Sequence, residues 1–118
     1  MAPGGICIFT TPNLGWWLNR IILIFGFQPY LTEVSLKHNV GKFKADNNLV
    51  YGHIRNFTNR SLRELLKINN FIIIRMHTTD VSNVFPFPIN LFEKCLSFIP
   101  TLSHSNIFIT QAKKVDNT

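Results

Sequence analysis

The sequence predicts an α/β fold, and two observations carry that prediction. Short runs rich in β-branched and aromatic residues alternate with segments of helical periodicity, in the order strand, helix, loop, helix, strand, helix, strand. The first run, from Ile6 to Thr11, is almost entirely apolar, which is typical of an interior parallel strand covered on both faces. Since so little sequence precedes this strand to supply its neighbours, we expect the 118 residues to form one partial domain.

An amphipathic helix is predicted after this strand, from Trp16 to Phe27. Trp17, Ile21 and Ile24 recur at helical spacing. The uninterrupted apolar run is far shorter than the roughly 20 residues that a membrane-spanning helix needs. We expect the helix to pack on the core or to cap a substrate, with docking at a membrane surface as the alternative.

A long irregular segment is expected from this helix to Tyr51. Gly26, Pro29 and Gly41 interrupt it, and Asp46 to Asn48 supply residues that favour turns. Connections of this length inside a small domain are usually functional or mobile.

The second helix has the clearest start and end signals. Ser61 and Glu64 match a capping box, and Thr58 is a competing cap one turn earlier. Asn70 is expected to end the helix, because asparagine tolerates the left-handed conformation found there. The apolar stripe of the helix consists of Leu62, Leu65 and Leu66.

Three further elements complete the expected order. A strand is predicted from Phe71 to Met76, and a short helix from Asn90 to Phe98 that Pro100 stops. The last strand covers Ile107 to Ala112, before a polar tail that runs from 113 to 118.

Composition and charge narrow the classes of function. The net charge of +6 comes from dispersed lysines and arginines without a basic stripe or an aromatic RNA-binding motif, a pattern that argues against nucleic-acid binding as the function. Cys7 and Cys95 lie in apolar contexts, as expected of buried, reduced thiols. The first residues carry no basic region of a signal peptide, and the sequence therefore predicts a cytoplasmic protein.

Three blocks of the sequence resemble the class I S-adenosylmethionine-dependent methyltransferases. Ala-Pro-Gly-Gly, the first strand and Pro12-Asn13 are similar to the family's Pro-Gly-Gly, strand, Thr-Pro-Asn signature. The block from His53 to Phe71 is similar to its His-x-Arg-x-Phe-Thr segment with the following helix and strand, although Asn70 replaces the usual glycine. The strand from Ile107 to Lys114 resembles the final hairpin strand of the family's seven-stranded sheet.

The resemblance implies the C-terminal part of a Rossmann-like sheet. One strand would belong to the parallel part and the later ones to the terminal hairpin. Residues 1–13 would form the strand with its Pro-Asn end, 14–52 a lid or cap insertion, and 53–118 the C-terminal portion. This half of the family mainly shapes the side of the site that receives the methyl acceptor.

Family members hold S-adenosylmethionine on a glycine-rich loop after their first strand. Such loops let backbone amides approach the cofactor closely. No Gly-x-Gly-x-Gly motif occurs in this chain, so we expect it to bind no cofactor and to be inactive alone. The unpaired apolar edge at residues 6–10 then predicts a protein partner or self-association.

The resemblance and the residue chemistry together mark four candidate substrate-binding residues: Asn13, Tyr30, His53 and Arg55. Asn13 either contacts substrate or caps the first helix. His53 is the one candidate general base, and Arg55 would clamp an anionic group. The alternative is local bonding: His53 to its own loop, and Arg55 to an acid such as Glu64.

No metal site is expected, since the four histidines and two cysteines show no ligand spacing. The apolar lid indicates a hydrophobic or lipid-like methyl acceptor in the parent enzyme. Two other functions stay open: a non-catalytic interaction subunit that docks a separate cofactor-binding chain, and a basic protein that binds a membrane surface or nucleic acid.

Overall fold

A computed structural model describes residues 2–43 and 50–114. The order of elements is the predicted one and the fold is mixed α/β, while the turn at Asp46 to Asn48 and the end of the tail lie outside the described residues. The elements are β1 (Ile6–Pro12), α1 (Trp17–Ile24), α2 (Asn59–Ile68), β2 (Phe71–Thr79), a 3₁₀ turn (Ser82–Val84), α3 (Ile89–Ser97) and β3 (Ser105–Ala112).

The three strands form one antiparallel sheet in the order β1-β3-β2. Phe9 of β1 and Met76 of β2 both pair with Phe108 of the central strand β3. Because β1 and β2 are each antiparallel to β3, they run in the same direction as one another. Parallel pairing of β1, as the sequence predicted, is not shown: within residues 2–43 and 50–114, β1 is an edge strand whose only partner is antiparallel.

Helix α2 covers one face of this sheet. Leu62 and Leu66 of α2 pack with Phe108 to form the buried core. Phe9 and Phe71 meet edge to face beside it, with ring centroids 5.4 Å apart. The leucine stripe predicted from the sequence therefore builds the core, except that Leu65 is 43% exposed.

The opposite face of the sheet is apolar and open. Ile6 and Ile8 of β1 are 57% and 62% exposed, and Ile72 and Ile74 of β2 are about half exposed. Coverage of β1 on both faces, expected from its sequence, is therefore wrong for the described residues. The strand is apolar as predicted, and this face of it is exposed.

The ends of the helices differ in detail from the sequence expectation. The cap of α2 is Thr58, whose hydroxyl accepts a hydrogen bond from the Ser61 amide at 3.2 Å while Ser61 Oγ accepts one from the Thr58 amide at 3.0 Å. The capping box predicted from Ser61 and Glu64 is wrong, because the earlier competing cap starts the helix. Asn70 has φ of +61°, which confirms its left-handed conformation.

Helix α1 is shorter than predicted, since the chain turns at Gly26, where φ is +79°. None of the helices in the described ranges is long and apolar enough to cross a membrane.

Candidate functional site

Asn13 organises the chain just past the end of β1. Its side-chain amide is 2% exposed and donates to the carbonyl oxygens of Ser103 at 2.8 Å and Thr101 at 3.2 Å. Its Oδ1 accepts from the Gly15 amide at 3.0 Å, which forms an Asx turn ahead of α1. Both ends of the amide are used, so a contact from Asn13 to substrate would require one of these bonds to break.

Two tryptophans follow this turn and share one carboxylate. Trp16 Nε1 donates to Glu93 Oε2 at 3.0 Å, and Trp17 Nε1 donates to the same oxygen. The other oxygen, Oε1, accepts from the Val81 amide at 3.2 Å. Glu93 is fully buried on α3, and its three partners are all donors, which is the pattern an acceptor-only carboxylate needs.

A histidine lies against the same cluster. The rings of His104 and Trp16 meet edge to face, with centroids 4.8 Å apart. Burial lowers the pKa of His104, and the charges of Glu93 and Asp80 oppose that shift. His104 Nδ1 is 3.0 Å from Ser105 Oγ. A titratable ring thus contacts one of the two indoles that Glu93 holds.

Beyond Trp17 an open cavity of about 780 Å³ lies between α1 and α3. Phe92 packs edge to face on Trp17 with centroids 5.0 Å apart, and Phe85 lies against both tryptophans. The remaining wall is aliphatic or sulfur-containing: Leu18, Pro88, Ile89, Leu91 and Cys95. The cavity lies just past the carboxyl end of β1 along the chain, since α1 follows that strand.

A second polar cluster orders the irregular segment. Glu33 is 6% exposed and accepts from the backbone amides of Tyr51 at 3.2 Å and His53 at 2.7 Å. Lys42 donates to the carbonyls of Pro29 and Thr32. Burial lowers the pKa of Lys42, and the charge of Glu33 partly restores it.

The four candidate substrate-binding residues do not form one group. Asn13 and Tyr30 adjoin the tryptophans through Asn19, which donates to the Asn13 carbonyl at 3.3 Å and accepts from the Tyr30 amide at 2.9 Å. The Tyr30 ring is 6.3 Å from Trp16 between centroids.

His53 and Arg55 belong instead to the segment that Glu33 orders. The His53 ring stacks on Tyr51 at 6.1 Å, and its Nδ1 is buried without a hydrogen-bond partner among the described residues. Arg55 and Glu64 are both exposed. In the described part of the chain no hydrogen bond joins His53 or Arg55 to the tryptophan cluster, so the binding of substrate by these four residues, and the role of His53 as a general base, stay predictions.

Glu93 is the residue that sequence reasoning missed. A usable signal was present: α3 has a single acid among mainly apolar residues, and two adjacent tryptophans each bring an N–H that needs an acceptor when buried. Cys95 was expected to be buried and is exposed, because it faces the open cavity, while Cys7 is half-buried; both are free thiols.

Comparison with known proteins adds no relatives. No protein-family model matches the chain, and no curated protein matches it significantly. The likeness to methyltransferases therefore rests on the sequence blocks alone. Among residues 2–43 and 50–114, no group of three histidine, cysteine, aspartate or glutamate side chains could hold a metal ion.

Proposed function

We propose that this chain is the C-terminal, acceptor-side segment of an S-adenosylmethionine-dependent methyltransferase, which works with a cofactor-binding half on the same or a separate polypeptide. One observation carries the proposal: β1 is an edge strand with the sequence of an interior strand. Natural edge strands are usually protected by charges, proline or a bulge. β1 has no charged residue, its proline is only its last residue, Pro12, its pairing with β3 has no bulge, and Ile6 and Ile8 are more than half exposed.

The other side of the same edge supports the proposal. A cavity of about 300 Å³ opens there between β1 and α2, lined by Phe9, Phe57, Leu62 and Leu65 among others. A strand added beside β1 would use its free backbone groups, and its covering helices would bury apolar surface on both faces. Such a neighbour is what a Rossmann-like cofactor half supplies.

The sheet order is also compatible with the proposal. β3 inserts antiparallel between β1 and β2, which run in one direction, as expected of a terminal hairpin strand next to a parallel sheet. The tryptophan cluster and its cavity lie past the end of β1, on the side that would face an acceptor.

Photo-crosslinking through β1 tests this function. A photoreactive phenylalanine analogue replaces Ile8 in the chain produced in its natural cells, and the same analogue at Ile68 is the control, because Ile68 is an isoleucine on α2 that is 76% exposed. We expect Ile8, and not Ile68, to crosslink to a segment that binds S-adenosylmethionine in calorimetry.

Crosslinking of Ile8 only to another copy of the chain, or to a segment that does not bind the cofactor, would overturn the proposal. A cofactor-binding complex without transfer of labelled methyl groups to any cellular component would favour the alternative function, a non-catalytic interaction subunit that docks on the same edge.

A further inference from the structure

We propose that the cavity between α1 and α3 binds the hydrocarbon chain of a single-chain anionic amphiphile. The assignment of that amphiphile as the methyl acceptor rests on the proposed function. The binding of its hydrocarbon part rests on the cavity alone.

The size and walls of the cavity fit a hydrocarbon chain. Its volume of about 780 Å³ lies within the usual range for small-molecule pockets, roughly 300–1,000 Å³. The walls are side chains of α1, α3 and the segment between β2 and α3, among them Trp17, Phe85 and Phe92. The only side-chain N–H in this wall, that of Trp17, is already bonded to Glu93.

Because the Trp17 N–H is already bonded to Glu93, a peptide is a poor occupant of the cavity. A peptide brings a backbone donor and acceptor at nearly every residue, and each loses free energy when it is buried without a partner. The wall of this cavity offers no free side-chain donor or acceptor apart from the weak thiol of Cys95. An alkyl or prenyl chain requires no such partner and gains about 25 cal/mol per Å² of apolar surface buried.

Charge favours an anionic head group. The chain has twelve basic and six acidic residues, and two of the six acids, Glu33 and Glu93, are buried. Arg20 follows the cavity residue Leu18 on α1 and is exposed, and its guanidinium contacts only the carbonyl oxygens of Gly15 and Thr101 in the described chain. A carboxylate or phosphate head group would therefore meet a protein of net positive charge, on whose first helix Arg20 has no paired acid among the described residues.

Glu93 has a positioning role in this arrangement. By accepting both indole N–H groups, Glu93 holds Trp17 in its edge-to-face contact with Phe92. It also engages the one polar atom of Trp17 that would otherwise face the bound hydrocarbon. The buried carboxylate thereby keeps the wall apolar.

Tryptophan fluorescence can report binding directly, because the only two tryptophans of the chain are those held by Glu93. The probe is undecanoate with a bromine on its terminal carbon, used below its micelle concentration, because bromine quenches an indole on contact. Undecanoate without bromine is the matched ligand, which should compete for the site without quenching.

Phe92→Ser and Phe98→Ser form a matched pair of variants. Both phenylalanines are more than half exposed, Phe92 within α3 and Phe98 directly after its last residue, but only Phe92 lines the cavity. We expect saturable quenching by the brominated acid, about tenfold weaker binding in Phe92→Ser because buried aromatic area is lost, and unchanged binding in Phe98→Ser. Circular dichroism checks that each variant is folded.

Absence of saturable quenching in the unmodified chain would overturn the inference without use of any variant. Equal loss of binding in both variants would overturn it as well. Binding to phosphatidylglycerol vesicles without binding of the free acid would identify a membrane-surface protein instead. The fluorescence assay contains neither cofactor nor partner. Absence of quenching would therefore overturn only the ligand proposal, and absence of the Ile8 crosslink would overturn only the proposed function.

Discussion

The two buried glutamates of the described chain, Glu33 and Glu93, accept hydrogen bonds from different kinds of donor. Glu33 accepts two backbone amides, those of Tyr51 and His53, and lies near the cationic Lys42. Glu93 accepts two indole N–H groups from one end of α1 and the Val81 amide from the segment after β2. The carboxylate of Glu33 thus links two parts of one irregular segment. The carboxylate of Glu93 links α3 to the start of α1 and to the segment after β2.

The difference shows how one chemical group fixes the backbone in one place and the wall of a cavity in another. Bonds to backbone amides fix the path of the chain and leave side chains free. Bonds to indoles fix the side chains, and at Glu93 those side chains build the wall of a cavity. We therefore expect changes at Glu93 to alter both stability and ligand binding, and changes at Glu33 to alter mainly the order of its loop.

The largest effect is expected from Glu93→Gln. A glutamine has one acceptor oxygen for three donors, and its amide group would point at an N–H in a fully buried site. We expect the free energy of unfolding to fall by about 3 kcal/mol. Urea denaturation followed by tryptophan fluorescence measures it. A loss below that of Glu33→Gln would mean that the carboxylate is not what holds the indoles.

A smaller effect is expected from Glu33→Gln. Each carboxylate oxygen accepts one backbone amide, so glutamine keeps one of the two bonds, and the site lies at a loop where water can replace the other. We expect a loss of about 1 kcal/mol. Hydrogen exchange should locate it at the amides of Tyr51 and His53. Faster exchange at Val81 instead would contradict the separation of the two clusters.

The smallest effect is a pH dependence that belongs to the tryptophan cluster. Burial lowers the pKa of folded His104 below its ordinary value, so the unfolded chain takes up that proton first as the pH falls. The stability contributed by neutral His104 is therefore fully present above about pH 6.5 and is lost as the pH falls through the depressed folded pKa.

His104→Gln should flatten that part of the pH profile of stability, while His38→Gln, a change at an exposed histidine, should leave it unchanged. Thermal unfolding at several pH values between 5 and 7.5, the range in which histidine ordinarily titrates, compares the two variants. An equal change of profile in both would show that burial of His104 is not its cause.

Much of the fold could be predicted because it is local. Hydrophobic runs and turn residues predicted the described α-helices and strands in order, though not the 3₁₀ turn, and the left-handed Asn70 followed from asparagine's tolerance of that conformation. The start of α2 was ambiguous for a physical reason: Thr58 and Ser61 are both good caps, and only packing selects between them.

The candidate site was harder to predict because it depends on long-range contacts. Glu93 is more than seventy positions from the two tryptophans to which it is hydrogen-bonded, and no local sequence pattern predicts which residues will meet over that separation. Asn13 was predicted to contact substrate or to cap the first helix, and its side-chain amide instead donates to the carbonyls of Thr101 and Ser103. The pairing of β1 as an interior strand needs residues outside the described chain.

The most direct test of the central claim, that this chain is the acceptor side of a methyltransferase, is a calorimetric titration with S-adenosylmethionine. It compares the purified chain with the complex captured through Ile8, and size-exclusion chromatography is run on both. We predict no heat of binding for the chain alone and saturable binding for the complex. Binding of the cofactor by the chain alone as a monomer would contradict the claim, as would a complex that does not bind it.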